Sequence, residues 1–304
     1  MPLQKTTLTF SPGSFGSTEA EALYQNITQL HAEKNLTLLH LDMSAVNFIR
    51  PSGVLALITA ARAWQRWTKQ PTHILNVAPD VHAYLERIDL FTQCNGLILE
   101  DQSLSLAQRY SRSFESASVL EITSVSSQPE ANETDVHQVI RRTTKILQAR
   151  YGNSHPNFTI LLSLISELAT NVCHSQDLGY LMAQSYTDRA GSRVMVAISD
   201  AGIGIEKSLR AGVTIPRHKA KRLNNGSDYI LFALEEGVSS RATAGGIGLH
   251  FIRQTVDTWN GSLTIRSASS KVEFQHSQDP IVQDDLPYIS GTQVTITVQG
   301  MFGN

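Results

Sequence analysis

The chain has 304 residues, 41% hydrophobic and 17% charged, with a net charge of −2. This is ordinary globular composition, with enough apolar mass for real cores and a length that suggests about two domains. A balance this close to neutral exerts no global pull toward nucleic acid or an anionic membrane. No run of about 18 apolar residues offers a membrane span.

Two cysteines, Cys94 and Cys173, lie far apart and form neither a disulfide framework nor a metal-ligand pattern. Together with a start that lacks an apolar signal core, they fit a reducing, cytoplasmic setting.

In chain order, "TEAEALYQNITQLHAEK" predicts a helix with Leu23, Ile27 and Leu30 on one face. The apolar run Leu36–Met43 predicts a buried strand. "PSGVLALITAARAWQRW" predicts a helix, with Val54, Leu57, Ile58, Ala61 and Trp64 at helical spacing. "THILNV" reads as a strand and "PDVHAYLERIDLF" as one helix opened by Pro79 and Asp80. Strands alternating with helices argue an α/β layer over residues 1–104. The Ser-rich stretch that follows reads as a linker over 105–118.

A second domain is expected over 119–304. "VLEITSV" predicts a strand, and "DVHQVIRRTTKILQARYG" a helix stopped at Gly152. A further helix carries the apolar stripe Leu161, Leu164, Ile165, Leu168 and Val172. "GYLMAQSYTD" and "SRVMVAISD" predict strands joined by a turn at Arg189–Gly191, the second with one core face formed by Val194, Val196 and Ile198. Residues Glu206 to Ala244 read as basic and irregular. A helix from Gly248 follows, with Leu249, Ile252, Val256 and Trp259 inward, and then strands at "GSLTIRS", "SKVEFQH" and "GTQVTITV". The succession suggests an α+β domain with a mostly antiparallel sheet and helices on one face.

Four stretches carry chemistry. On the helix ending "SELATNVCHS", Glu167 and Asn171 lie one turn apart on a face that also bears His174 and Ser175. In "SDAGIGI", Asp200 ends a strand and Gly202 and Gly204 follow. An ionised carboxylate accepts hydrogen bonds only, and adenine's exocyclic amino group is a matching donor. Glycines there let the backbone approach a flat ring. In "TAGGIGLHFIRQ", Gly245, Gly246 and Gly248 stand at a helix start, where free N–H groups suit an anion. The stretch is neither a P-loop, since no GK[ST] follows, nor a dinucleotide fingerprint. Finally, in "SGTQVTITV", Gly291 and Thr292 lead into a strand. Each of these also has a plain structural reading as a wet helix face, a turn or a flexible loop.

Their order is distinctive: ELxxN, DxGxG, GGxG, then GT. Over roughly residues 120–300 the chain resembles the Bergerat-fold (GHKL) ATPases, the family that includes gyrase and the histidine kinases. Within that family it is most similar to the anti-sigma-factor serine kinases of bacterial partner switching, through "ELATNVCHS" and "YILFALEEGVSSRATAGGIGLHFIRQ". The resemblance implies ATP and Mg²⁺ as ligands. It makes Asn171 the Mg²⁺ ligand, an amide oxygen that suits a hard ion. It makes Glu167 the general base. Asp200 would read the adenine amino group with support from Thr292. Gly202 and Gly204 would line the adenine, and Gly245, Gly246 and Gly248 the phosphates. Arg241 would reach a terminal phosphate or be a solvated loop residue, and His174 would contact the nucleotide side or orient the helix end. Lys207, Arg210, Arg217, Lys219, Lys221 and Arg222 would form a mobile lid or a solvated loop. His137 is the nearest thing to a phosphoacceptor histidine, but it lacks the flanking acid and proline.

Over about residues 5–98 the chain resembles the STAS domain of anti-sigma-factor antagonists, through "LHLDMSAVNFIRPSGVLALITAA" and "HILNVAPDVHAYLERIDLF". Phosphorylated members carry Asp-Ser-Ser-Gly or Asp-Thr-Ser-Gly in the loop before the main helix. Here the residues are Arg50, Pro51, Ser52 and Gly53. Pro51 has no hydroxyl, and Ser52 is expected to cap a helix starting at Gly53. A pseudo-substrate or docking role is implied.

The two resemblances together imply a regulator that phosphorylates Ser or Thr on a separate STAS-type antagonist or sigma-like regulator, acting as a homodimer. A non-catalytic ATP-dependent binding module and a plain ATPase switch are the alternatives.

Overall fold

The computed structural model describes residues 5–34, 37–100, 119–125, 140–145, 148, 165–166, 168–169, 177–188, 191–212, 215, 220–235, 238 and 248–299. The chain divides into two compact units, one of residues 1–115 and one formed by the bulk of 116–304. The expected linker 105–118, His137 and most of the two helices expected before residue 177 lie outside the described residues.

The first unit runs β1 (Lys5–Thr9), β2 (Gly13–Phe15), α1 (Ser17–Ala32), β3 (Leu38–Asp42), β4 (Val46–Ile49), α2 (Pro51–Thr68), β5 (Thr72–Leu75), α3 (Pro79–Arg87), α4 (Leu90–Gln93) and β6 (Ile98–Glu100). Its main sheet has the order β1-β3-β5-β6, with every neighbour parallel. Parallel neighbours need long crossovers, and the helices supply them: α1 between β1 and β3, α2 between β3 and β5, and α3 with α4 between β5 and β6. One strand face (Leu39, Leu41, Ile74, Ile98) is buried, as are Leu23, Tyr24 and Ile27 of α1 and Val54, Leu57, Ile58, Ala61 and Trp64 of α2.

Two expectations are corrected here. Helix α2 starts at Pro51, with Arg50 as its N-cap in extended conformation and no side-chain cap, so Ser52 lies inside the first turn and caps nothing. Proline is well suited to a first helical position, because its φ is already helical and its missing N–H would have no partner there. The helix expected over 79–91 breaks at Ile88–Asp89, where Asp89 takes φ +64 and α4 begins. Left-handed backbone cannot continue a right-handed helix, and Asp tolerates it better than most residues.

Gly53 joins α2 to the small parallel pair β2–β4. A Cβ at this position would overlap the Phe15 carbonyl oxygen and lie 2.8 Å from the Phe15 ring. The same carbonyl accepts the Arg50 N–H at 3.0 Å. The close approach is therefore required by the backbone bond that seats the helix start.

The second unit is built on a seven-stranded sheet of order β12-β11-β10-β13-β9-β8-β7. The strands are β7 (Val119–Val125), β8 (Gly179–Asp188), β9 (Gly191–Asp200), β10 (Ser262–Ala268), β11 (Ser270–Gln275), β12 (Ile281–Gln283) and β13 (Ile289–Gln299). The pairs β7–β8, β8–β9, β9–β13, β10–β11 and β11–β12 are antiparallel. Helix α6 (Gly226–Ala233) and helix α7 (Gly248–Thr258) contribute Ile230, Ile252 and Val256 to one core with Val196, Ile198, Ile265, Val294 and Ile296. The helical residues Ile165, Leu168 and Ala169 join the same core. Buried Glu121 on β7 is ion-paired with Arg142 from the helical residues 140–145.

Two further expectations are corrected. The stretch 206–244 is not irregular throughout, since it contains α5 (Ile205–Gly212) and α6. Ile205 and Leu209 give α5 an apolar edge, and Asn225 opens α6 through a capping box with Asp228. Strand β9 buries Val194, Val196 and Ile198 as expected, and Met195, Ala197 and Ser199 on its other face as well. Gly291 and Thr292 do not precede the strand but lie inside β13, a central strand between β10 and β9.

Asp284 ties the loop after β12 to α6. It accepts the Ser227 N–H at 3.1 Å, the Ser227 hydroxyl at 2.6 Å and the Ser270 hydroxyl at 2.5 Å. Burial works against its charge, but the hydroxyls of Ser227 and Ser270 and the Ser227 amide outweigh it and hold the carboxyl below its ordinary range. A depressed carboxylate contributes stability above its unfolded pKa of about 3.9, and that contribution is lost as pH falls through the lower folded value.

Two outcomes are predicted. Gly53→Ala lowers the stability of the first unit by about 1–3 kcal/mol, as overpacking does, measured by urea unfolding. Asp284→Asn flattens the acid-side fall in stability of the second unit, read from melting temperatures between pH 2 and 6, a window of about two units either side of the unfolded pKa.

Candidate functional site

The site is built at one end of the central strands of the second unit. Strand β9 ends at Asp200, whose neighbours on β8 and β13 fix its position: Gly179 stands opposite Asp200, and Gln293 opposite Ser199. Beyond Asp200 the chain turns sharply. The Gly202 N–H donates to Asp200 Oδ1 at 2.8 Å. Gly204 takes φ +79, a left-handed conformation that favours glycine. Helix α5 then opens, with the Ile205 N–H donating to Ser267 Oγ at 2.9 Å.

Strand β13 supplies the other wall. Gly291 takes φ +95, and a Cβ there would overlap the carbonyl oxygen of Asp200 and lie 2.7 Å from Ala201 Cα. The glycine therefore lets β13 lie directly against the turn that carries the carboxylate. Next in chain, Thr292 places Oγ1 3.4 Å from Ser267 Oγ, which also lies 3.4 Å from the Gly291 carbonyl oxygen. A Cβ on Gly204 would come within 2.9 Å of Ser267 Oγ. Asp200, Gly202 and Thr292 are half-buried, whereas Gly204 and Ser267 are buried beneath them. The result is a carboxylate and a hydroxyl held at the surface of a rigid, glycine-floored corner.

The structure thus brings Asp200, Gly202, Gly204 and Thr292 together, although more than 80 residues separate the DxGxG turn from Thr292. Gly248 opens α7, as expected. Its helix is held to its surroundings by buried Ile252 and Val256 and by His250 Nδ1, 2.9 Å from the Leu234 carbonyl oxygen. Glu167, Asn171, His174, Arg241, Gly245 and Gly246 lie outside the described residues. The described residues Ile165, Leu168 and Ala169 share a core with Ile198 and Val294, which belong to the two strands that meet at this corner. Among the described residues no group of three or more His, Cys, Asp and Glu could hold a metal ion. The residue proposed to hold Mg²⁺, Asn171, is not among them.

Part of the basic stretch lies among the described residues. Arg210 pairs with Glu206 at 2.9 Å and lies 4.7 Å over the Tyr229 ring, so it staples α5 to α6 and does not belong to a solvated loop. Lys221 and Arg222 sit in an exposed turn, and Arg217 and Lys219 are outside the described residues.

Sequence reasoning missed Ser267. It belongs to no motif, and its one sequence signal is a hydroxyl within the half-apolar run "SLTIRSA". A buried hydroxyl needs partners, and this one finds them on both glycine turns.

Fold and site together define a two-unit protein: a parallel α/β unit, and an antiparallel sheet-and-helix unit with a carboxylate–glycine corner at the end of its central strands. No protein-family model matches the chain, and no curated protein gives a significant match.

Gly291→Ala is predicted to destabilise the second unit by about 2 kcal/mol or more, since left-handed backbone and steric overlap act together, as measured by thermal unfolding. Unchanged melting would mean that β13 does not lie against the Asp200 turn as described.

Proposed function

We propose that the second unit is a Bergerat-fold (GHKL) ATP-binding domain and the first a STAS domain. The chain would then be a cytoplasmic partner-switching regulator that phosphorylates Ser or Thr on a separate STAS-type partner. The observation that carries this reading is the corner itself, in which the DxGxG turn and the Gly291–Thr292 segment meet through Ser267. The donor set suits an adenine. Asp200 is an acceptor held in place by Gly204 and Gly291, whose backbone and close contacts exclude a side chain, and Thr292 offers a hydroxyl nearby. No helix among the described residues is long and apolar enough to cross a membrane, which accords with a cytoplasmic setting.

In this reading Asp200 and Thr292 fix the base and so set the register of everything beyond it. Asn171 would hold Mg²⁺ through its amide oxygen. Glu167 would take the proton from the attacking hydroxyl. Gly245, Gly246 and Gly248 would offer backbone N–H groups to phosphate. ATP would supply the phosphoryl group and leave as ADP. The STAS unit is not its own substrate. Pro51, at the acceptor position, has no hydroxyl and is the first residue of α2, while Arg50 reverses the usual charge beside it. The unit serves instead for docking and partner choice.

The test is transfer of labelled phosphate from ATP to a panel of STAS-type domains. Wild type is predicted to label Ser or Thr on at least one of them, and Glu167→Ala to slow transfer by about 10²–10⁴-fold. Equal transfer by the variant would remove Glu167 as the base. Nucleotide-dependent partner binding without any transfer would replace the kinase with a binding module.

A further inference from the structure

In the first unit His40 on β3 and His73 on β5 stand directly opposite each other in the parallel ladder. Their ring centroids are 5.0 Å apart, with the planes at 45°. Both side chains are half-buried, on the sheet face opposite the one that carries buried Leu39, Leu41 and Ile74. This unit has no place for them in the reading above, which uses only the α2 start.

We propose that His40 and His73 form a two-point chelate for a late first-row divalent transition ion, Zn²⁺ in the first instance, with water completing the coordination. Imidazole is a good ligand for Zn²⁺, Ni²⁺ and Cu²⁺. Two imidazoles that share one ion at bond lengths of about 2.0–2.1 Å and near-tetrahedral angles hold their ring centroids about 5 Å apart. The observed separation meets that requirement. The planes need not be parallel, since each ring only has to aim one nitrogen at the ion.

The backbone is preorganised, because each histidine sits mid-strand between paired neighbours, Leu39↔Thr72 and Leu41↔Ile74. The ion would clamp β3 to β5 just before the point where Asn76 Nδ2 donates to Asp42 at 2.9 Å and the Met43 N–H to the Leu75 carbonyl oxygen at 2.9 Å. From there the chain runs through β4 to the start of α2.

Calorimetry of the full chain with ZnCl₂ tests this. One equivalent is expected to bind, each of His40→Gln and His73→Gln to weaken binding by about tenfold or more through loss of the second, intramolecular contact, and the double variant to lose it. A second measurement needs no variant. In the wild type, substoichiometric Zn²⁺ should shift the imidazole nitrogen resonances of His40 and His73 before those of any other histidine. Equal binding by wild type and double variant, or first shifts at other histidines, would overturn the proposal.

Discussion

The second unit depends on one backbone contact, the approach of Gly291 to the carbonyl of Asp200. Strand β13 can pair with β9 up to Gln293↔Ser199 with any residues. To continue past Asp200 it must lie against a chain that is already turning away, and only a residue without Cβ fits. That constraint sets where Thr292 falls, and Thr292 with Ser267 in turn closes over the Gly204 turn and the start of α5. A carboxylate at a strand end is common. A carboxylate whose turn is fixed from both sides is a preorganised acceptor, and such positions suit recognition more than packing.

A similar constraint governs the first unit, although there it concerns a helix. Gly53 and the Arg50 N–H both meet the Phe15 carbonyl, so the start of α2 is seated on β2. Pro51 strengthens the helix start, because its φ is already helical and its missing N–H would have no partner there.

Much of this was legible in the sequence, for physical reasons that differ by element. Long periodic segments such as α1 and α2, and apolar runs such as β3, β7 and β9, declare themselves through burial. Asp200 with its glycines is legible because turns demand specific residues. Helices α5 and α6 are hidden because each has only eight residues and exposed cations such as Lys207 and Arg210 make the stretch look like a loop. The break at Asp89 is invisible because the apolar pattern runs straight through it. Strands β1 and β12 lie at sheet edges and carry little apolar alternation, with Ile281 and Val282 both exposed. Ser267 matters only through partners that are distant in sequence, and no local pattern can reveal it. The pairing of Gly291 with Asp200 is non-local in the same way.

In the function proposed above, the corner formed by Asp200, Gly204, Ser267, Gly291 and Thr292 would read an adenine. The most direct test is calorimetric titration of the intact chain with Mg-ATP, beside the Asp200→Asn variant. The account predicts binding by the wild type and its loss in the variant, because the amide presents a donor where only an acceptor serves, while the fold persists by circular dichroism. Equal binding by both proteins, or none by a well-folded wild type, would contradict it.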